Sequence, residues 1–310
     1  MSIDFSKFKA AMFDYDGTLT EKGIWEIDQA LAERMGELLV AGFPLAICTG
    51  RQLDSFEKRF GPTFRMIREK FGDEAAGRLY FLAENGAVGY EYDFSDTAGS
   101  GSDSDSDGSW RIFYQAEWPS AVPKKEFESG LEEILRGKVE FLTHLVPIVI
   151  APLGRYDMDI SVLNKASSEV FKIAHEYASK FEALGGGNAL DHLHIGDSGL
   201  GVLICPADGD KDSAVRVFWE LLSARGVKFL EKSPLDGGSC REIMVVGDSP
   251  QKRGNDYYFL NGRYGTAFSV GVEPEAGSEW PIVVRDESGE PIMNSRGTLA
   301  LLNKLPNLET

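Results

Sequence analysis

KAAMFDYDGTLT, residues 9–20, is a short apolar run that ends in two carboxylates, Asp14 and Asp16, followed by a Gly-Thr turn. It reads as a buried strand closed by a turn signal. A turn opened by Gly17 can swing both carboxylates toward one site. Such a pair can hold a hard cation through oxygen ligands. It can equally supply a nucleophilic carboxylate, with a neighbouring acid to protonate the leaving group. The same grammar repeats downstream. Residues 28–40 (DQALAERMGELLV) place Ala30, Leu31, Met35, Leu38 and Leu39 at helical spacing, with Gly42 as the stop. Residues 43–48 (FPLAIC) form a second apolar run, ending in Thr49-Gly50-Arg51, and residues 79–83 (LYFLA) a third, ending in Glu84-Asn85-Gly86. Strands separated by helices predict a parallel sheet whose chemistry gathers at the carboxyl ends of the strands, here at Asp14, Thr49 and Asn85.

After Gly86 the pattern changes. Residues 87–94 and 110–118 are aromatic and roughly alternating, as hairpin strands are, and an acidic low-complexity stretch, DTAGSGSDSDSDGS, lies between them. Helical patterns at 124–137 and 167–183 flank a strand-like DISVL, and residues 190–195 and 201–205 suggest a further hairpin. The expectation is an inserted α+β domain at 87–204, with an acidic flexible loop at 95–109, inside an α/β core made of 1–86 and 205–310. The core pattern resumes with a helix at 211–224 and a strand, EIMVVG, ending in Asp248.

The chain has 310 residues, 32 basic against 49 acidic, a net charge of −17. That balance excludes a generic binder of nucleic acid or anionic membrane, since phosphate surfaces need clustered Lys and Arg. The longest apolar run, 141–153, is interrupted by His144, Pro147 and Pro152 and is too short to span a bilayer. Three cysteines, Cys48, Cys205 and Cys240, read as buried thiols of a reducing compartment, and the expected location is cytoplasmic.

Four motifs in order resemble those of the haloacid dehalogenase superfamily of phosphotransferases: DYDGTLT, ICTGR, the lysine of ADGDKDSA, and VVGDSPQKRGND. The resemblance implies a Rossmann-like core with an inserted cap, acting as a Mg2+-dependent phosphatase. It implies Asp14 as nucleophile, Asp16 as general acid/base, Thr49 and Gly50 as phosphate holders, and Lys211 as the neutralising cation. Mg2+ would be held by Asp14, a backbone carbonyl of Asp16, and Asp248, with Asn255 and Asp256 beside it. The stretch from Asp16 to Thr49 holds one crossover helix, whereas that from Thr49 to Lys211 holds a whole domain. A cap entering after the third core strand is the arrangement of the Cof-like, sucrose-phosphatase-like and phosphomannomutase-like branch. LAENGAVGY and GVLICPADGDKDSAV are similar to that branch, and Asn85 becomes a possible substrate contact. The implied partner is a small phosphorylated metabolite, a sugar phosphate first. One departure is the spacing of Asp248 and Asp256, eight positions rather than the four of many relatives. Phosphomannomutases carry a similar expansion, so a phosphomutase stands as the alternative. A silent phospho-ligand-binding relative stands as the alternative of another class.

Other signals are weaker. Asp103, Asp105, Asp107 and Gly108 match the start of an EF-hand loop, but Tyr114 stands where a bidentate Glu is needed. GDSGL at 196–200 reads as a hairpin turn, and the His192/His194 pair lacks further zinc ligands. Arg51 reads as a helix-start or surface residue.

Overall fold

The computed structural model describes residues 3–94, 108–252 and 254–306. Among the described residues the strands, in chain order, are β1 (Ala10–Phe13), β2 (Leu45–Cys48), β3 (Leu79–Ala83), β4 (Val88–Asp93), β5 (Ser109–Gln115), β6 (Val139–Leu142), β7 (Ile148–Pro152), β8 (Leu193–Asp197), β9 (Val202–Pro206), β10 (Ile243–Gly247), β11 (Thr266–Ser269) and β12 (Ile282–Val283). The α-helices are α1 (Gln29–Val40), α2 (Leu53–Phe71), α3 (Asp73–Ala76), α4 (Lys124–Leu135), α5 (Ile160–Lys180), α6 (Lys211–Ala224), α7 (Tyr257–Leu260) and α8 (Asn294–Leu302).

The larger sheet runs β12-β11-β10-β1-β2-β3-β4-β5. Its first six strands pair in parallel, and β4 and β5 add an antiparallel edge. Every residue of β1, β2, β3 and β10 is buried, as expected of strands covered on both faces. Ala11 and Phe13 turn to one core with Leu31 and Met35 of α1, Phe56 and Phe60 of α2, and Leu301 of α8. Ala10 and Met12 turn to another with Phe218 of α6 and Phe259 of α7. Because β1 lies between β10 and β2, the residues just past their carboxyl ends, Asp14, Asp248 and Thr49, are brought side by side.

The smaller sheet, β6-β7-β9-β8, is antiparallel throughout. One face carries Ile148, Ile150, Ile195 and Ile204 against Phe127 and Leu131 of α4 and Val170 and Phe171 of α5. The other carries Leu142, Val149, Leu203 and Cys205 and turns toward the larger sheet, where Leu203 lies over Gly50.

Two expectations are corrected. The aromatic hairpin expected to open the inserted domain at 87 belongs to the larger sheet, because β4 pairs with β3. Its rings explain the placement. Tyr92 and Trp110 lie 4.7 and 5.2 Å from the Phe64 ring of α2, so alternation correctly signals strands but cannot say which sheet they join. DISVL is no strand. It opens α5, and Leu163 starts the buried stripe Leu163, Ser167, Val170, Phe171, Ala174 and Ala178; a short apolar run is ambiguous until its continuation is counted. The run at 141–153 breaks at its His and Pro into β6 and β7. The acidic stretch expected as a flexible loop falls, at 95–107, outside the described residues. All three cysteines are free and buried, and no helix among the described residues is long and apolar enough to cross a membrane.

Candidate active site

The turn after β1 sets the site. Asp14 N–H still bonds to the Val246 carbonyl of β10 at 2.9 Å, so the carboxylate leaves the sheet in a fixed direction. The Tyr15 carbonyl then accepts the N–H groups of Leu19 and Thr20, with Gly17 at φ +78°. A Cβ on Gly17 would stand 2.8 Å from Asp248 Oδ2. Glycine therefore both permits the left-handed turn and leaves room for the second carboxylate.

Four side chains meet beyond these strand ends. Lys211 Nζ donates to Asp14 Oδ1 at 2.5 Å and to Asp256 Oδ1 at 2.6 Å, and Lys211 is only 1 % exposed. It is the first residue of α6, placed by its neighbour Asp210, which caps the helix through the Ser213 N–H. Asp256 Oδ2 accepts the backbone N–H groups of Asp248 and Ser249 at 3.1 and 3.2 Å. The longer spacing of the fourth motif therefore returns Asp256 to the site. Carboxylate oxygens of Asp14, Asp248 and Asp256 lie within 4.8 Å of one another.

The charges do not balance. Burial, then Asp256, pushes the Asp14 carboxyl well above its ordinary value against the pull of Lys211. Asp248 is raised for the same two reasons, opposed by Lys22, whose ammonium lies 2.8 Å from Asp248 Oδ2. Burial alone would lower Lys211, but Asp14 and Asp256 overcome it and hold the ammonium above an ordinary lysine. Three buried carboxylates around one buried ammonium make a hard-oxygen donor set with surplus negative charge. That is what a site for Mg2+ requires, so the residues fit the ion.

The remaining expected residues are distributed around this cluster. The Asp16 side chain stands apart, 47 % exposed, with both oxygens on the Arg51 guanidinium at 2.6 and 2.8 Å. Arg51 thus does more than start a helix; the only signal in the sequence is its place in TGR at the end of β2. Thr49 is buried, its hydroxyl 3.4 Å from the Arg51 N–H, and its carbonyl accepts the Asn85 N–H at 2.8 Å. Gly50 lies under Leu203 of β9. Asn85, at φ +64°, places its amide 4.0 Å from Cys205 Sγ, while its Oδ1 is buried with no partner. Asn255 is not among the residues that meet at Lys211, and its Oδ1 is likewise buried and unpartnered. Glu84 was not foreseen: its two oxygens accept the N–H groups of Leu145 and Val146, each at 2.9 Å, tying the smaller sheet to the end of β3. Nothing in ENG distinguishes a tether from a turn.

Behind Lys211, burial and then Asp210 raise the Asp212 carboxyl to about 7, against the pull of Arg263 at 3.2 Å. The folded protein therefore binds a proton that the unfolded chain has released, and this contribution to stability falls as pH rises from about 4 through 7. Asp212→Asn is expected to raise the melting temperature at pH 8, by on the order of 1 kcal/mol or more in stability, and to raise it by clearly less at pH 5, where only the first part of that loss has occurred. Calorimetry with Mg2+ present at both pH values checks this; an equal shift at both would reject it.

No family model matches the chain, and no curated protein matches it. Solved structures do. An N-terminally truncated IMP-nucleotidase of Plasmodium falciparum is similar over 96 % of this chain and 71 % of its own, at 12 % identity and a TM-score of 0.55. An IMP-bound form is similar over 96 % and 68 %, at 15 % identity and 0.56. A protein described as a HAD/COF-like hydrolase from Plasmodium vivax is similar over 98 % and 97 %, at 16 % identity and 0.59. At these identities the likeness is one of fold.

Proposed function

We propose that this chain, which has the fold of the haloacid dehalogenase-like hydrolases, is a Mg2+-dependent phosphomonoester hydrolase. The observation that carries the reading is the buried cluster of Asp14, Lys211, Asp248 and Asp256 at the carboxyl ends of adjacent parallel strands. Phosphoryl transfer needs positioning and charge neutralisation more than any other chemistry. Asp14, Asp248 and Asp256 would hold the cation, which when bound would offset negative charge on the phosphoryl oxygens. Asp14 attacks phosphorus in line, forming a P–O bond to its carboxylate as the bond to the leaving oxygen breaks. Lys211, already on Asp14, stabilises the charge that develops there. Asp16, 47 % exposed, takes up a proton from solvent as it leaves the Arg51 guanidinium and passes that proton to the leaving oxygen as the P–O bond breaks. It then takes a proton from the water that hydrolyses the aspartyl-phosphate. The smaller sheet, whose Leu203 lies over Gly50, would restrict the access of bulk water to the site.

The substrate class is a small phosphorylated metabolite, with sugar phosphates first. The names of the structural neighbours add nucleoside monophosphates as a second group worth assaying. The test is phosphate release across both groups with Mg2+, in chelator, and with Asp14→Asn as control. Release from one compound, abolished by chelator and by the substitution, supports the reading; release that survives both rejects it. The eight-position spacing of Asp248 and Asp256 also favours a phosphomutase, which an absolute requirement for a sugar bisphosphate would reveal.

A further inference from the structure

His194 of β8 reaches from the smaller sheet to the residue before the buried lysine. Its Nδ1 bonds Asp210 Oδ2, and its ring lies flat on Tyr258 of α7, 4.1 Å between centroids and 1° between planes. Asp210 is buried, and its other oxygen accepts the Ser213 N–H at 2.9 Å, closing the first turn of α6. One carboxylate therefore binds the smaller sheet with one oxygen and the lysine-bearing helix with the other.

The chain between β9 and α6 is only residues 207–210, and it is held along its length. Ala207 N–H donates to the His192 carbonyl at 2.9 Å, Gly209 N–H to Pro206 at 2.8 Å, and the Tyr114 hydroxyl to Asp208 at 3.1 Å. Gly86 packs so closely on the Asp210 carbonyl that a Cβ there would stand 2.7 Å from it. Lys211 follows Asp210 directly. A change in how the smaller sheet sits is thus passed through one peptide unit to the ammonium on Asp14.

We propose that His194 is a positioning residue for Lys211: by fixing Asp210, it makes the seating of the smaller sheet and the placement of the lysine a single event. The proposal rests on the hydrolase reading for its kinetic consequence but not for its structural one. A side chain that merely packed the smaller sheet would cost stability or substrate affinity and spare turnover.

The experiment pairs amide hydrogen exchange with kinetics in Mg2+. In His194→Ala, exchange across residues 207–214 is expected to rise about tenfold or more while the amides of α4 hold their protection. Turnover is expected to fall by roughly 10–100-fold with KM within about threefold. His194→Asn, whose side-chain N–H can donate to Asp210 in place of Nδ1, is expected to recover most of both. Asp210→Ser keeps a helix cap but loses the histidine's partner. It is expected to match His194→Ala, and the double variant to add little to either, which also decides the matter should His194→Ala fail to fold. Unchanged exchange in 207–214, a rise in KM alone, additive effects in the double variant, or an Asn variant as impaired as Ala would each overturn the proposal. Loss of protection in 207–214 from a protein that releases phosphate from no compound would support the coupling and reject the hydrolase reading.

Discussion

Lys211→Met is expected to abolish phosphate release and to lower the melting temperature of the cation-free protein by more than any other single change at the site. The ammonium is buried with Asp14 at 2.5 Å and Asp256 at 2.6 Å. Methionine keeps the apolar stem but leaves these carboxylates facing one another without a counter-charge. Breaking a buried pair in this way costs about 3–5 kcal/mol. The loss in turnover is expected to be about 10²–10³-fold or more, the scale of removing one group that stabilises transition-state charge. Added Mg2+ is expected to restore part of the stability, since a cation held by Asp14, Asp248 and Asp256 replaces the missing charge, but little of the rate. Calorimetry with and without Mg2+, beside the kinetics, tests both halves. A cation-free melting temperature unchanged by the substitution would reject the charge account of the cluster.

Asp14→Asn is expected to give the same kinetic result with the opposite thermal one. An amide cannot serve as the attacking carboxylate, and loss of a nucleophile costs about 10⁴-fold or more. The cation-free protein, however, should melt higher than the parent. Burial and Asp256 raise the Asp14 carboxyl despite Lys211, so its ionised form is less favourable in the folded state than in the unfolded chain. Lys211 keeps its bond to Asp256 after the change. The sign with pH follows from linkage: as pH falls, the parent takes up the proton and gains stability, so the advantage of the variant is largest near pH 8 and shrinks toward pH 5. A variant that melts lower than the parent at pH 8 would show that the Lys211 pair outweighs the burial of the charge.

How much of this was legible in the chain depends on the range of the interaction concerned. The apolar run before Asp14, the runs at 43–48 and 79–83, and the helix at 211–224 are local patterns, and local patterns give β1, β2, β3 and α6. Asp14 and Asp248 stand out locally as carboxylates that end apolar strands, whereas the place of Lys211 comes only from the resemblance of ADGDKDSA to a family motif. The hairpin of β4 and β5 was read as strands yet assigned to the wrong sheet, because its partner is fixed by packing on Phe64, which no alternation reports. The ion pair of Arg51 with Asp16 and the tether of Glu84 to Leu145 and Val146 join residues far apart in sequence. Asp256 was read as merely metal-adjacent because its spacing is unusual. Its direct bond to Lys211 appears only once the intervening loop is folded.

The Glu84 tether grips main chain on the smaller sheet's side, and that leaves a mark on which substitutions the chain can accept. The carboxylate takes the N–H groups of Leu145 and Val146, which every residue but one provides. Leu145, its side chain 54 % exposed, is therefore open to drift among nearly all amino acids without loosening the joint. Proline alone is barred at 145 and 146, having no N–H to give. The native proline stands at 147, one position beyond the last donor the joint uses. At 145 such a joint leaves no identity to be read, only a prohibition, whereas Val146 is held besides by its burial in the core of the larger sheet; the smaller sheet could thus be rebuilt for a new substrate while its attachment stayed intact.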